Sequence, residues 1–150
     1  MEQIKKILAP TDLSELSKSG VRYALALAKA LEAEVLVYHA VDYDTLIRYG
    51  QRSAAPATFQ PSDEQFLERY QKGLSEFLTA ISAVAPSVKV RQRVELGNPD
   101  TSIVDLAKSE AYDLIVMSTH GKSGRRMSLG SVTQSIVQTA PCPVLSIRAQ

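Results

Sequence analysis

The run Val35-Leu36-Val37-Tyr38 sets the narrowest limit on how this chain can fold. A strand with one wet face alternates apolar and polar residues, whereas an unbroken apolar run suits a strand buried on both faces. Both faces are buried when helices lie above and below the sheet. The flanking sequence supplies those helices. From Ser14 to Ala33, residues Leu13, Leu16, Gly20, Ala24, Leu27 and Leu31 recur at three- and four-residue steps and lay one apolar stripe on a helix. Asp12, with Glu15 three residues later, resembles a capping box at its start.

The same alternation continues along the chain. Ile4 to Pro10 reads as a first strand and Glu34 to Val41 as a second. The pattern fails from Leu46 to Asp63, where Pro56, Pro61 and small residues predict a loop. A helix follows from Glu64 to Val84, with Phe66, Tyr70, Leu74, Phe77, Leu78 and Ile81 on one face. Val88, Val90, Val94 and Leu96 alternate with Lys89, Arg91, Arg93 and Glu95, as an outer strand does. Asn98 and Pro99 suit the N-cap and first position of a helix that ends near Ala111. Asp113 to Met117 is a fourth strand, Val132 to Thr139 a last helix, and Pro143 to Arg148 a fifth strand. Strands separated by helices predict one α/β domain over residues 1–150, a parallel sheet with helices on both faces. Such sheets bind ligands at the carboxyl ends of their strands.

One of those ends is conspicuous. Leu114-Ile115-Val116-Met117 empties into Ser118-Thr119-His120-Gly121-Lys122-Ser123-Gly124, and Gly130-Ser131 opens the next helix. Glycines let backbone approach an anion, and the first amides of a helix point at it with the positive end of the helix dipole. The spacing is neither G-x-x-x-x-G-K-[ST] nor G-x-G-x-x-G. The other ends of interest are Pro10-Thr11-Asp12 and His39-Ala40-Val41-Asp42.

Composition excludes several classes. The chain has 150 residues and a net charge of +1, with no basic tract, so neither nucleic acid nor a membrane surface is expected as a partner. No apolar run approaches the ~18 residues of a membrane span. The polar start, Met1-Glu2-Gln3, leads directly into a strand, and a cytoplasmic location is expected. The lone Cys142 excludes an intrachain disulfide and a cysteine metal cluster. It is expected to be a buried, inert thiol.

Seven stretches, taken in order, resemble the universal stress protein family over nearly the whole chain. They are Ile7 to Ser14, His39 to Val41, Gly97-Asn98-Pro99, Asp113 to Met117, His120 to Gly124, Gly130-Ser131-Val132 and Ala140 to Leu145. The resemblance implies a five-stranded parallel sheet of order 3-2-1-4-5, frequent dimerisation and a role in stress survival. It implies an adenine nucleotide, ATP or AMP, as ligand, with slow hydrolysis at most. Nucleotide-binding members show G-x-x-G, nine residues, then G-[S/T]. Here Ser118 replaces the first glycine, and eight residues separate Gly121 from Gly130. Serine adds a Cβ and a hydroxyl where close backbone approach is expected.

The candidate site is therefore Pro10, Thr11, Asp12, Val41, Ser118, His120, Gly121, Gly130, Ser131 and Val132. Asp12 would hydrogen-bond the nucleoside or cap the first helix. Val41 would offer backbone groups to an adenine edge. Gly121, Gly130 and Ser131 would bind phosphates or serve as turn glycines and an N-cap. Lys122, Arg125 and Arg126 are loop charges able to pair with phosphate. His120 has no carboxylate or nucleophile partner at a readable spacing, so no catalytic base is assigned. Mg2+ would arrive with the phosphates. Three functions stay open: a nucleotide-binding stress-response module, a homodimeric interaction module without nucleotide, and a slow ATP hydrolase. The strand Pro143 to Arg148, apolar and at a sheet edge in the implied order, is the expected homodimer contact.

Overall fold

The computed structural model describes residues 3–48, 61–81, 83, 85–119 and 130–148. The elements follow in the order β1 (Lys6–Pro10), α1 (Lys18–Leu31), β2 (Glu34–Val41), α2 (Tyr43–Arg48) and α3 (Pro61–Ile81). Then come β3 (Val90–Leu96), α4 (Pro99–Ser109), β4 (Leu114–Ser118), α5 (Ser131–Thr139) and β5 (Val144–Ile147). The sheet is five-stranded and parallel, in order β3-β2-β1-β4-β5. This is the expected fold.

Alternation along the central strands sends side chains into two cores. Ile7, Ala9, Val35, Val37 and Val116 meet α1 and α3 on one face. Leu8, Leu36, Tyr38, Ile115 and Met117 meet α4 and α5 on the other. The strands of the sheet's middle are thus covered on both sides, as the unbroken run at Val35 requires. Cys142 is half-buried against the second core, and burial pushes its thiol above the ordinary value.

Three local readings need correction. The first helix begins at Lys18, not Ser14, and its N-cap is Ser17. Asp12 does not cap it: its carboxylate accepts the Ser14 amide at 3.0 Å, while Leu13 takes a left-handed φ of 65°. The chain then makes one turn closed by Ser17 N–H to the Ser14 carbonyl, and Glu15 pairs with Lys18 at 2.8 Å. Second, the expected loop is helical at both ends: Leu46 to Arg48 belong to α2, whose first turn is held by Asp42 through the Thr45 amide at 2.8 Å, and α3 begins at Pro61 rather than Glu64. Residues 49–60 of that stretch lie outside the described residues. Third, α5 starts at Ser131, with Gly130 rather than Ser131 as N-cap. The α4 start is as expected: Asn98 accepts the Asp100 amide at 2.9 Å and Pro99 holds the first position.

The two sheet edges differ. On β3, Arg91 pairs with Glu34 at 3.1 Å and Arg93 grips Glu110 with both guanidinium nitrogens. The hydrogen bond from Arg93 holds the Glu110 carboxyl below the usual carboxylate range. On β5, Leu145 and Ile147 pack partly buried against the first core.

Helix α1 approaches the sheet backbone closely at Gly20. A Cβ there would sit 2.6 Å from the Ser118 nitrogen and 2.8 Å from the Met117 carbonyl carbon, both backbone atoms. At Gly73 of α3 a Cβ would meet the Leu13 side chain at an ordinary 3.6 Å. Two alanine substitutions therefore have opposite signs. Gly20→Ala is expected to destabilise the fold by about 1–3 kcal/mol, as overpacking does. Gly73→Ala is expected to stabilise it by about 0.5–1 kcal/mol through helix propensity. Urea denaturation of the two variants checks both.

Candidate nucleotide site at the carboxyl end of the sheet

In a sheet of order 3-2-1-4-5 the connections leaving β1 and β4 pass to opposite faces. The tips of these neighbouring strands therefore diverge and leave a crevice. A cavity of about 240 Å³ lies there. Pro10, Thr11 and Asp12 line it from the β1 tip, His39 and Ala40 from β2, and Met117 and Ser118 from β4. Ser17 before α1, Pro99 and Ile103 of α4, and Gly130 to Thr133 of α5 complete the lining. Three helices begin at this one place, so the positive ends of three helix dipoles converge on it.

The three ends are not equivalent. That of α4 is capped by its own Asn98. That of α1 has its third amide, Gly20 N–H, accepted by the Ser118 hydroxyl at 2.9 Å. That of α5 has glycine as N-cap and hence no side-chain acceptor. Gly130 has φ −61°, open to any residue, so its contribution is the missing side chain rather than backbone freedom. Its own amide donates to the Thr119 carbonyl at 2.7 Å. The amides of the first α5 turn thus face the cavity side with no cap of their own.

The β1 tip is held by its own side chains. The Thr11 amide donates to the Tyr38 carbonyl at 2.9 Å, and the Thr11 hydroxyl accepts the Leu13 amide at 3.0 Å. His39 Nδ1 lies 2.9 Å from the Thr11 carbonyl. A carbonyl only accepts, so Nδ1 carries the proton. The His39 ring also leans on Tyr70 of α3, with centroids 5.5 Å apart. Thr133 Oγ1 donates to the Ser118 carbonyl at 3.0 Å and ties α5 to the end of β4.

Of the residues expected at the site, Pro10, Thr11, Asp12, Ser118, Gly130, Ser131 and Val132 line this one cavity. Val41 does not. Its side chain is buried in the first core and its carbonyl accepts the Gly97 amide at 2.9 Å; Ala40 takes its place in the wall. His120 and Gly121 lie outside the described residues, as do Lys122, Arg125 and Arg126. Ser118 is not among the described non-glycine residues with positive φ, so no left-handed conformation is forced on it. Its hydroxyl is turned to α1 rather than left over for a ligand, since it also donates to the Leu16 carbonyl at 3.0 Å. The candidate site left out Ser17, His39, Pro99, Ile103, Met117 and Thr133, which also line the cavity. Ile103 and Met117 looked like core, and only the fold brings Thr133 to Ser118.

The model of the universal stress protein family matches residues 3–148. The chain belongs to that family. Universal stress protein MJ0531 of Methanocaldococcus jannaschii is 34% identical over 147 residues, covering 96% of this chain and 82% of that one. The solved structure of MJ0577, from the same organism, superposes with a TM-score of 0.73 at 26% identity and covers 99% of both chains. Universal stress proteins solved with cAMP, with dAMP (from Archaeoglobus fulgidus) and with AMP (from Arabidopsis thaliana) share the fold. Their TM-scores are 0.69, 0.66 and 0.62, their identities 19%, 19% and 18%, and at least 92% of every chain is covered. Among the described residues of this universal stress protein, no cluster of His, Cys, Asp or Glu could hold a metal ion. Nor is any described helix long and apolar enough to cross a membrane.

The buried Thr133 hydroxyl gives a direct check on how α5 is held. Thr133→Val keeps shape and removes the bond to the Ser118 carbonyl. It is expected to cost about 1–2 kcal/mol in urea denaturation, the usual penalty for unsatisfying one buried partner.

Proposed function

We propose that this universal stress protein binds an adenine nucleotide in the cavity between the β1 and β4 tips. The observation that carries the reading is the convergence of helix N-termini there, with the α5 end lacking a side-chain cap. A phosphate belongs at that end, on the amides of Ser131 and Val132 with the Ser131 hydroxyl beside them. Ala40, Pro99, Ile103 and Val132 give the cavity apolar walls suited to a flat base. Asp12 at the β1 tip offers a carboxylate to sugar hydroxyls. Family members crystallised with cAMP, dAMP and AMP support the ligand class. Mg2+ would come with a polyphosphate and be held by it, since the described residues provide no carboxylate cluster.

The site is built for binding more than for turnover. The His39 Nδ1 proton is held by the Thr11 carbonyl, so that nitrogen is not available as a base. Any ATP hydrolysis is expected to run well below the ~1 s⁻¹ low end of enzymes.

We further propose a homodimer through β5. This strand has a partner on one side only, in β4, and carries no ion pair of the kind that guards β3. Two copies meeting antiparallel would satisfy both edges.

Calorimetry on nucleotide-stripped protein is expected to show saturable binding of AMP or ATP. Absence of binding at millimolar nucleotide, with the protein folded, refutes the reading. Gly130→Asp is the sharper variant. It supplies α5 with a cap and a negative charge, so stability should hold or rise by a few tenths of a kcal/mol. Nucleotide affinity should fall at least tenfold, because the anion's place is taken. For the dimer, light scattering should give about twice the 16.4 kDa chain mass, and Leu145→Pro should shift it to monomer. A wild-type monomer refutes the β5 contact.

A further inference from the structure

Helix α1 has a serine at its N-cap that does not cap it. The Ser17 hydroxyl donates to the Ser14 carbonyl at 2.7 Å and pairs with Thr11 Oγ1 at 2.7 Å. The bond such a residue normally makes, to the amide of the second or third helical residue, is missing from it. That amide, at Gly20, is met from a residue ninety-eight positions away in sequence, by the Ser118 hydroxyl. The same hydroxyl donates to the Leu16 carbonyl, so both its donor and an acceptor site are engaged with the start of α1. The arrangement needs a residue without a side chain at position 20, because α1 lies backbone against backbone on the β4 tip.

Ser118 also has a second attachment. Its carbonyl receives the Thr133 hydroxyl from the first turn of α5. Helices α1 and α5 lie on opposite faces of the sheet, and both begin at the cavity. One buried residue therefore holds both helix starts, one by its side chain and one by its backbone. We infer that Ser118 is the positioning residue of this cleft: it caps α1 from β4 and, through Thr133, fixes the α5 start against α1, so the spacing of the two walls is set at residue 118. Capping α1 in this way also engages one of its amides, and α5 remains as the end open to an anion. The effect on affinity rests on the nucleotide reading; the effect on the two helix starts does not.

The test compares Ser118→Ala with wild type and with Ile81→Val, a core change in α3 that serves as a stability-matched control. Backbone amide exchange is followed by NMR and AMP affinity by calorimetry. Ser118→Ala is expected to speed exchange at Gly20 at least tenfold and to speed it at Gly130 and Gln134, the hydrogen-bonded amides of the α5 start, by threefold or more. It should also weaken AMP binding at least fivefold, whereas Ile81→Val should leave all three readings within twofold of wild type. Ser118→Cys keeps the shape with a weaker acceptor and should move each reading the same way by less. It carries the test if the alanine variant does not fold. Unchanged exchange at Gly20 overturns the inference, because the cap is then not made. Faster exchange at Gly20 with α5 unmoved also overturns it, because Ser118 is then only a local cap. If wild type binds no AMP, the nucleotide reading fails, and the exchange results at α5 alone decide the positioning role.

Discussion

The carboxyl end of this sheet depends on one close approach, that of α1 to the tip of β4. Gly20 lets the helix backbone come within reach of the Ser118 backbone, at a separation where any Cβ would collide. The small residues Ala24 and Ala28 continue the same buried stripe toward the other end of the helix. At this approach the Gly20 amide is buried, and a buried amide needs a protein partner. Ser118 does that, and the geometry of the β1–β4 crevice follows from where it places α1.

Electrostatics at the two edges of the sheet follow the same division between satisfied and open groups. Along β3, guanidinium and carboxylate groups are bound to one another across the strand and to the α4 C-terminus, with about a third of the Arg93 and Glu110 side chains exposed. Such half-exposed pairs contribute little to stability, about 0–1 kcal/mol, but they surround the edge with charge. The β5 edge carries apolar side chains instead. Lys6 lies over the Tyr112 ring at 4.6 Å and donates to the Glu110 carbonyl, which binds the amino end of β1 to the turn before β4.

The fold was legible because strand and helix periods are strong and alternate along most of the chain, Leu46 to Asp63 excepted. Val35 to Tyr38 announced a doubly covered strand, and Asn98-Pro99 announced the start of α4. The start of α1 was misread because Asp12 with Glu15 has the composition of a cap, while the left-handed turn at Leu13 is not encoded by any glycine. The short α2 was legible in principle: Asp42 with Thr45 three residues on is a cap signal, but the stretch with Pro56 and Pro61 drew its second half, from Leu46, into a loop. At the candidate site, the strand ends and the start of the last helix named Thr11, Asp12, Ser118 and Gly130, which line one cavity. They could not name Ala40 over Val41, because that choice depends on which face of β2 looks toward α4. Nor could they separate a serine facing a ligand from one facing a helix.

The bare N-cap of α5 has a consequence for how the protein holds together. A glycine there leaves the first turn of a helix incompletely bonded, and that turn is anchored to β4 through Thr133 and the Gly130 amide. An anion settling on those amides finishes the helix in the way a side chain would. Folding and ligand occupancy are then linked by mass action: a ligand at a hundred times its dissociation constant adds about 2.7 kcal/mol to the native state. On the proposed binding, the melting temperature of such a domain would be a gauge of its surroundings, rising with the concentration of whatever completes its last helix.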